Sequence, residues 1–350
     1  MIKIEEYGWL PSILPENAEG LPARVTAVHR ERYEIICQHG RIFGKLKTAV
    51  YYGQGEEFPT VGDYVLFQYE QTGDSLIIKT LLRKSFFSRR DPTPGRGEQA
   101  VAANFETVFV MTSLNKDFNI SRLERYLTLA WQSGATPVVI LTKADLAEEY
   151  DVQIKAVEEI AVGVEVIAVS SVTGQGFDRL QPYLQPRQTA VFLGSSGVGK
   201  SSLLNALVGE KLMDVKAIRE DDSRGRHTTT HRQLFMLPSG ALVIDTPGMR
   251  ELGMWDISTG LGATFSDVEE FLSRGCRFSD CKHQVEPDCA VRAALENGEL
   301  SIERLQSYLK LKHEAKYTED RSAFMMEKWQ RNKDIAKWSR TIKKSGGFKK

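Results

Sequence analysis

The sequence predicts an α/β protein in three parts: a small N-terminal β-barrel, a central doubly wound domain and a mostly helical C-terminal part. Short strand-like runs separated by turns come first in the 350-residue chain. Apolar strands then alternate with helical patterns, which is typical of a parallel sheet covered by helices. A cluster of cysteine and histidine precedes the last helical stretch. A chain of this length can bury a sizeable core in each part.

The composition is that of a globular protein. Hydrophobic residues make up 41% and charged residues 26%, as in ordinary globular domains. The net charge is zero, which argues against non-specific nucleic-acid binding by the whole chain but permits local basic patches. The N-terminus lacks the pattern of a signal peptide, and apolar runs such as 138–141 are too short to span a bilayer. The 4 cysteines are too few for a disulfide framework, so we expect a reduced, cytoplasmic protein. We also expect a monomer without a membrane partner.

The first part contains short runs with strand character. They are Ala23–His29, Tyr33–Cys37, Arg41–Leu46, Tyr64–Glu70 and Ser75–Leu82. Turn signals such as His39-Gly40 and Thr72-Gly73-Asp74 separate them. Short antiparallel strands in this number suit an OB-fold, so residues 1–90 are predicted to form an OB-like, RNA-binding barrel. Another small barrel or a sandwich is the alternative.

Residues 83–97 are basic and contain prolines and glycines. This composition is typical of a linker. The alternative is a mobile basic loop near RNA phosphates.

Residues 98–253 are predicted to form the central domain. Its apolar strands are Thr107–Thr112, Pro137–Leu141, Val164–Val169, Thr189–Leu193 and Leu242–Ile244. Helical patterns lie between them, as over Ser121–Trp131 and Lys200–Val208. This alternation favours a doubly wound α/β sheet.

A GxxxxGK[ST] motif follows one of these strands and precedes a helix, which is the context that a phosphate loop requires. Its residues and the helix residue after them are Gly194, Ser195, Ser196, Gly197, Val198, Gly199, Lys200, Ser201 and Ser202. The glycines let backbone N–H groups surround a phosphate at the helix N-terminus. Lys200 would neutralise the β- and γ-phosphates, and the Ser201 hydroxyl would ligate Mg²⁺.

Two further segments fit nucleotide switches. Asp245-Thr246-Pro247-Gly248 follows a buried strand, so Asp245 could hold the Mg²⁺ shell and the Gly248 N–H could bond the γ-phosphate. Between the phosphate loop and this segment lies a polar run, 225–231, that contains threonines. We expect Thr229 to complete the Mg²⁺ ligands when GTP is bound, with a solvated loop as the alternative.

A guanine-reading motif is predicted after the strand Pro137–Leu141. Its residues are Thr142, Lys143, Ala144 and Asp145, and they resemble NKxD with Thr142 in place of Asn. Asp145 would accept both guanine donors, and since adenine lacks that pair, ATP should be rejected. Ser170 and Ser171 suit the loop whose N–H groups contact guanine O6.

The order of these motifs is unusual. In ordinary GTPases the phosphate loop comes first and the base motifs come last, whereas here Asp145 and Ser170 precede Gly194. The same sheet can form if the usual ends are joined and new ends are opened elsewhere. We therefore predict a circularly permuted P-loop GTPase domain, whose second switch leads directly into residues 254–350.

The C-terminal part carries three cysteines and a histidine that suit a metal site. They are Cys276, Cys281, His283 and Cys289. Three thiolates and one imidazole form a closed tetrahedral set, which is typical of structural zinc. The alternative is a set of buried thiols beside a surface histidine. Residues 254–350 are therefore predicted to form a helical zinc-binding domain, and they end in a basic tail that suits either RNA contact or a solvated helix.

Over nearly its whole length the sequence resembles the ribosome small subunit-dependent GTPase A, or RsgA, family. The resemblance rests on the permuted order, on GSSGVGKS, GRHTTT and DTPG, and on the CxxxxCxH…C cluster. Phe118-Asn119-x-x-Arg122 and Phe265-Ser266-Asp267 also look like family signatures. The resemblance implies an OB domain, a permuted GTPase domain and a zinc domain. It also implies hydrolysis of GTP to GDP that the small ribosomal subunit stimulates, with that subunit and its rRNA as partners, and a role in late maturation of the subunit.

Catalysis requires a group that orients the attacking water, for which Ras-like enzymes use a Gln after the switch glycine. Met249 occupies that position here and cannot do this. We expect His227 to act with Lys200 and Thr229, the alternatives being that His227 packs or binds RNA. Two other functions stay open: a P-loop ATPase in another process, or a zinc-containing RNA-binding module with little turnover.

Overall fold

The structure is a computed structural model. It describes residues 3–15, 18–29, 32–90, 98–115, 117–209, 232–245, 257–277, 281, 283 and 288–316.

The N-terminal part is a closed barrel of five strands. They are β1 (Leu21–His29), β2 (Arg32–Cys37), β3 (Gly40–Leu46), β4 (Tyr64–Gln68) and β5 (Ser75–Thr80). The order is β1-β2-β3-β5-β4, and β4 pairs with β1 to close the barrel. Apolar side chains such as Val25, Ile35 and Phe67 fill its interior. The prediction of an OB-like barrel is thereby confirmed.

A hairpin follows the barrel where the sequence indicated a linker. Its strands are β6 (Phe86–Arg90) and β7 (Glu98–Ala103). Phe87 is buried and stacks on Phe105, with ring centroids 4.9 Å apart. The basic composition of the segment predicted a linker or a mobile basic loop. A strand forms over Phe86–Arg90 because this buried aromatic pair anchors it.

The central domain is a mainly parallel sheet with helices on both faces. Its strands are β8 (Thr107–Ser113), β9 (Thr136–Thr142), β10 (Glu165–Val169), β11 (Thr189–Gly194), β12 (Gln233–Met236) and β13 (Leu242–Asp245). Its helices are α1 (Ile120–Gln132), α2 (Asp151–Ile160), α3 (Phe177–Leu180) and α4 (Lys200–Val208). The order is β10-β9-β8-β11-β13-β12, with β12 antiparallel. Strand β8 is buried throughout, as expected for a strand covered on both faces.

The barrel and the central domain share one continuous sheet. Strand β12 pairs with β13 on one side and with β1 of the barrel on the other. Gln233 lies opposite Ala27 of β1 and opposite Asp245 of β13. One strand therefore separates the barrel from Asp245.

A buried arginine joins the barrel to the central domain. Arg24 is fully buried on β1. It donates to the main-chain carbonyls of Gly62 at 3.2 Å, Tyr7 at 2.7 Å and Asn104 at 2.7 Å. Gly62 lies at φ 92° and faces the carbonyl of Ala103, so the barrel turn presses directly on the end of β7.

The C-terminal part packs on α1. Its helices are α5 (Ser258–Thr264), α6 (Ser266–Ser273), α7 (Ala290–Glu296) and α8 (302–316). Arg304 of α8 is buried and donates to Glu124 of α1 at 2.7 Å and to Asp267 of α6 at 2.9 Å. Among the described residues, no helix combines the length and apolar character needed to cross a membrane.

Candidate functional site

The phosphate loop lies at the carboxyl end of a central strand. Strand β11 ends at Gly194, and helix α4 begins at Lys200. Gly197 and Gly199 have φ values of 77° and 106°, which side chains with a Cβ rarely adopt. The Lys200 ammonium donates to the carbonyls of Gly194 at 2.7 Å and Ser195 at 2.8 Å. The loop therefore bends at its glycines, and its carbonyls bind the ammonium group of Lys200. Ser196, Ser201 and Ser202 are partly exposed.

The predicted base motif contacts this loop directly. Strand β9 ends at Thr142, whose hydroxyl donates to the Val198 carbonyl at 2.6 Å. The Lys143 ammonium donates to the Gly197 carbonyl at 2.9 Å. The Thr142 hydroxyl thus donates one hydrogen bond to the loop from the position at which the NKxD motif has the side-chain amide of Asn. The permuted segments meet at one edge of the sheet, because the carboxyl ends of parallel strands lie together there.

Asp145 is held by the predicted O6 loop. The Ser170 hydroxyl donates to Asp145 Oδ1 at 2.6 Å. The same hydroxyl oxygen accepts from the N–H groups of Val172 at 3.2 Å and Thr173 at 3.1 Å. Asp145 remains exposed beside buried Ala144 and partly exposed Ser171. The carboxylate is therefore oriented at one oxygen and accessible to a donor pair such as that of guanine.

Asp245 occupies the end of β13, which pairs with the phosphate-loop strand. Burial raises the pKa of Asp245 to about 6, and the Lys200 charge partly offsets this. A nearby cation favours the ionised form of a carboxyl group in such a site. The other switch predictions, His227, Thr229 and Gly248, lie outside the described residues.

A further acidic residue lies beside the phosphate loop. The hydroxyl of Ser195, which is buried, donates to Asp117 Oδ2 at 3.0 Å. Asp117 in turn forms an ion pair with Arg122 at 2.9 Å. In the sequence, Arg122 stands out only within a family signature, and Asp117 was missed. Its position after the buried strand β8, at the same sheet edge as the phosphate loop, was the signal available.

The four predicted metal ligands lie together in the C-terminal part. Their ligand atoms are all within 4.8 Å of one another. His283 Nδ1 is 3.5 Å from the sulfurs of Cys276 and Cys281 and 3.4 Å from that of Cys289. The Cys289 sulfur also accepts the N–H of Arg292 at 3.4 Å. Three sulfurs grouped around one imidazole nitrogen fit the donor set of a metal ion, so this cluster could hold one.

Comparison with known proteins gives consistent matches over most of the chain. Residues 80–255 match the family described as RsgA GTPase. The small ribosomal subunit biogenesis GTPase RsgA 1 of Listeria monocytogenes is 48% identical over 318 residues, which is 90% of each protein. RsgA 1 of Listeria innocua is 44% identical over 98% of this chain and 96% of its own length. RsgA 2 of Vibrio vulnificus is 41% identical over 97% and 95%, respectively.

Solved structures agree with the permuted architecture. YjeQ from Thermotoga maritima superposes with a TM-score of 0.62 and 28% identity, covering 84% of this chain and 98% of YjeQ. YloQ, described as a circularly permuted GTPase, superposes with a TM-score of 0.60 and 26% identity, covering 86% of this chain and 96% of YloQ.

Proposed function

The chain belongs to the RsgA GTPase family, and on this basis we propose that it hydrolyses GTP to GDP and phosphate during late maturation of the small ribosomal subunit. The observation that carries the proposal is the junction of the two loops. Thr142 and Lys143, which belong to the base motif, are hydrogen-bonded to Val198 and Gly197 of the phosphate loop. A nucleotide would therefore meet both loops at once, with its phosphates on one and its base on the other.

Selectivity for GTP is assigned to Asp145. Its exposed carboxylate, oriented by Ser170, would accept the two donors of guanine, while Ser171 would contribute to the loop that faces O6. The stem of Lys143 would cover the base. Adenine would leave the carboxylate without its donor pair, which costs binding energy.

The phosphates are assigned to the loop 194–199 and Lys200. The ammonium of Lys200 would exchange its loop carbonyls for the β- and γ-phosphate oxygens. Ser201 and Thr229 would ligate Mg²⁺, with Asp245 holding its water shell. When bound, Mg²⁺ neutralises phosphate charge, and the Gly248 N–H would bond the γ-phosphate.

Catalysis is assigned to His227 together with Lys200 and Thr229. Met249 carries no useful hydrogen-bonding group at the position where Ras-like enzymes use Gln. An imidazole in the first switch can orient a water molecule beside the γ-phosphate. A His227→Ala variant with normal stimulated hydrolysis would remove this assignment.

The cysteine and histidine cluster is assigned to one structural zinc ion. The closed donor set of Cys276, Cys281, His283 and Cys289 leaves no ligand position for a reacting water. The metal would hold the segment before α7 in place and take no part in hydrolysis.

The remaining assignments follow from the family. We propose a cytoplasmic monomer in which 1–90 is an RNA-binding barrel, 98–253 the GTPase domain and 254–350 the zinc domain. Its partners are GTP or GDP and the small ribosomal subunit with its rRNA.

The test is the rate of GTP hydrolysis by the protein alone and with small ribosomal subunits, with ATP in parallel. The expected result is slow intrinsic hydrolysis of GTP, a large rise with subunits and no rise with ATP. An Asp145→Ala variant should lose the preference for GTP. Hydrolysis that subunits do not change would contradict the ribosomal role, and equal use of ATP would favour a P-loop ATPase.

A further inference from the structure

The phosphate loop is held from two sides. Gly197 and Val198, in its second half, accept hydrogen bonds from the base motif. In its first half, Ser195 donates to Asp117 at 3.0 Å. The base motif follows β9, and Asp117 follows β8, which lies between β9 and the phosphate-loop strand. Each half of the loop is therefore tied to the loop that follows a different neighbouring strand.

Asp117 is also held in place by hydrogen bonds to groups other than Ser195. Its N–H donates to the Asn115 side chain at 3.0 Å. Both of its carboxylate oxygens accept from Arg122, at 3.0 and 2.9 Å. Arg122 lies in the first turn of α1, where Asn119 caps the helix and accepts the Arg122 N–H. The carboxylate is thus oriented by its own loop and by the helix that follows.

The negative charge of the Asp117 carboxylate affects how the loop can bind an anion. An unpaired carboxylate beside the loop would repel an anionic ligand. Arg122 neutralises it, so Asp117 can accept the Ser195 hydroxyl without adding net negative charge. The pair therefore combines a strong acceptor for the loop with electrostatic neutrality.

The exposed fractions of these side chains indicate that Asp117 matters more for the shape of the loop than for the stability of the fold. The side chains of Asp117 and Arg122 are 44% and 35% exposed, and ion pairs of this kind add little to stability. Ser195 is only 8% exposed, so loss of its acceptor leaves a buried hydroxyl to find another. The expected effect of losing Asp117 falls on the loop.

We propose that Asp117 is a positioning residue for the phosphate loop, holding its first half through Ser195 while Arg122 fixes and neutralises the carboxylate. This rests on the proposed function, because it assumes that the loop binds nucleotide. Asp117 acts through Ser195, and the proposal requires no contact between Asp117 and the nucleotide.

The test is a double-mutant cycle on the affinity for fluorescent GDP in the presence of Mg²⁺, using the full chain. Asp117→Ala and Ser195→Ala should each weaken binding by about three- to tenfold, which is the range of a typical net hydrogen bond. The affinity of the double variant for GDP should equal that of whichever single variant binds less tightly, because both changes remove the same hydrogen bond. Asp117→Asn keeps an oxygen acceptor and should recover most of the affinity. Asp178→Asn, an exposed carboxyl change on α3, is the matched control and should leave affinity unchanged.

Two results would overturn the proposal: GDP binding by Asp117→Ala equal to that of the wild type, or losses that multiply in the double variant. Thermal melting is recorded for each variant, and if Asp117→Ala does not fold, Asp117→Leu, which is similar in size and has no acceptor, takes its place in the cycle with Ser195→Ala. Failure of the proposed function has a different signature. In that case the wild type binds GDP and the cycle shows coupling, yet small subunits leave GTP hydrolysis unchanged.

Discussion

Two buried arginines join the central domain to its neighbours, and their hydrogen-bond acceptors differ in charge. Arg24, between the barrel and the central domain, donates to three main-chain carbonyls. Arg304, between α8 and α1, donates to the carboxylates of Glu124 and Asp267 and to the Thr264 carbonyl. Each guanidinium also lies over an aromatic ring, that of Tyr64 at 4.9 Å for Arg24 and that of Phe265 at 4.2 Å for Arg304.

The two junctions depend on different properties of their acceptors. Around Arg24 the acceptors are neutral, so their positions matter, and these are set by the turn at Gly62 and the continuous sheet. Around Arg304 the acceptors are charged, so removing the arginine leaves a buried carboxylate without its counter-ion. The barrel junction is therefore held by geometry and the C-terminal junction by charge.

The largest effect is expected from Arg304→Ala. It leaves Glu124, which is 2% exposed, without its cation, and breaking one side of a buried pair costs about 3–5 kcal/mol. The measurement is the free energy of unfolding in urea. Arg274→Ala removes an exposed i,i+4 pair and should cost about 0.5 kcal/mol or less. A loss for Arg304→Ala as small as that of Arg274→Ala would show that charge does not hold this junction.

Gly62→Ala should follow, because it attacks the geometry of the barrel junction. A Cβ at Gly62 would overlap the Ala103 carbonyl, and the residue has φ 92°. Overlap and left-handed strain together should cost about 3 kcal/mol. Gly163→Ala is the control, since it has φ 74° with nothing within 4 Å and should cost only the strain, about 1–2 kcal/mol. Equal losses of unfolding free energy would mean that the turn does not press on β7.

Gly260→Ala makes the corresponding change at the C-terminal junction. A Cβ there would overlap the Thr128 carbonyl of α1, and overpacking of this kind costs about 1–3 kcal/mol. Gly262→Ala, with nothing within 4 Å, should be neutral or slightly stabilising, because Ala favours helix. If urea unfolding instead finds the two variants alike, α5 does not approach α1 this closely.

Arg24→Ala is expected to cost less than Arg304→Ala. The change removes one donor from each of three neutral carbonyls and should cost about 2 kcal/mol in total, because two of them keep a second donor, from Tyr64 and Asn104, and no charge is orphaned. A loss as large as that of Arg304→Ala would show that neutral and charged acceptors hold the two junctions equally strongly. Arg24→Lys should recover part of the loss, since an ammonium keeps the charge but cannot reproduce the guanidinium fork.

The smallest effect concerns pH, since the barrel junction continues through Gln233 to Asp245. Burial raises the pKa of Asp245 to about 6. Its contribution to folding stability is therefore fully present below the ordinary carboxyl pKa and is lost as pH rises through about 6. Binding of Mg²⁺ with GTP has the opposite sign, because the proton competes with the cation, and should weaken as pH falls below that value.

The pH test also separates the two junctions. Loosening the barrel in Arg24→Ala should hydrate Asp245 and lower the midpoint of GTP binding by a few tenths of a pH unit, about 0.5 kcal/mol. Arg304→Ala should leave the midpoint in place. The measurement is GTP affinity between about pH 5 and pH 8, a range that brackets the shifted carboxyl pKa. Equal midpoints in both variants would show that the barrel does not shield Asp245.

Much of the fold could be predicted because its signals are local. Turn residues and apolar runs predicted the barrel strands, and the flanks of GSSGVGKS predicted the strand before this motif and the helix after it. The hairpin strand at Phe86–Arg90 was missed because its stability comes from Phe87 packing on Phe105, a contact that composition does not reveal. Strand β12 is four residues long, too short for a clear pattern.

The site divides in the same way. Thr142 and Lys143 belong to a recognisable motif, so their position near the phosphate loop could be anticipated from the sheet rule. Asp117 carries no motif of its own, and its role depends on a contact with Ser195, 78 positions away. The predictions for His227, Thr229 and Gly248 concern residues outside those described and stay predictions.

The pairing of β1 with β12 also bears on how the chain can be divided. Strand β12 has one neighbour in the central sheet, and its other edge is covered by the barrel. A bare edge strand offers unpaired N–H and C=O groups to other chains and is a common start of aggregation. A shortened chain that begins after the barrel would uncover this edge. We expect the barrel to protect this edge of the central domain against self-association, so its removal should lower solubility.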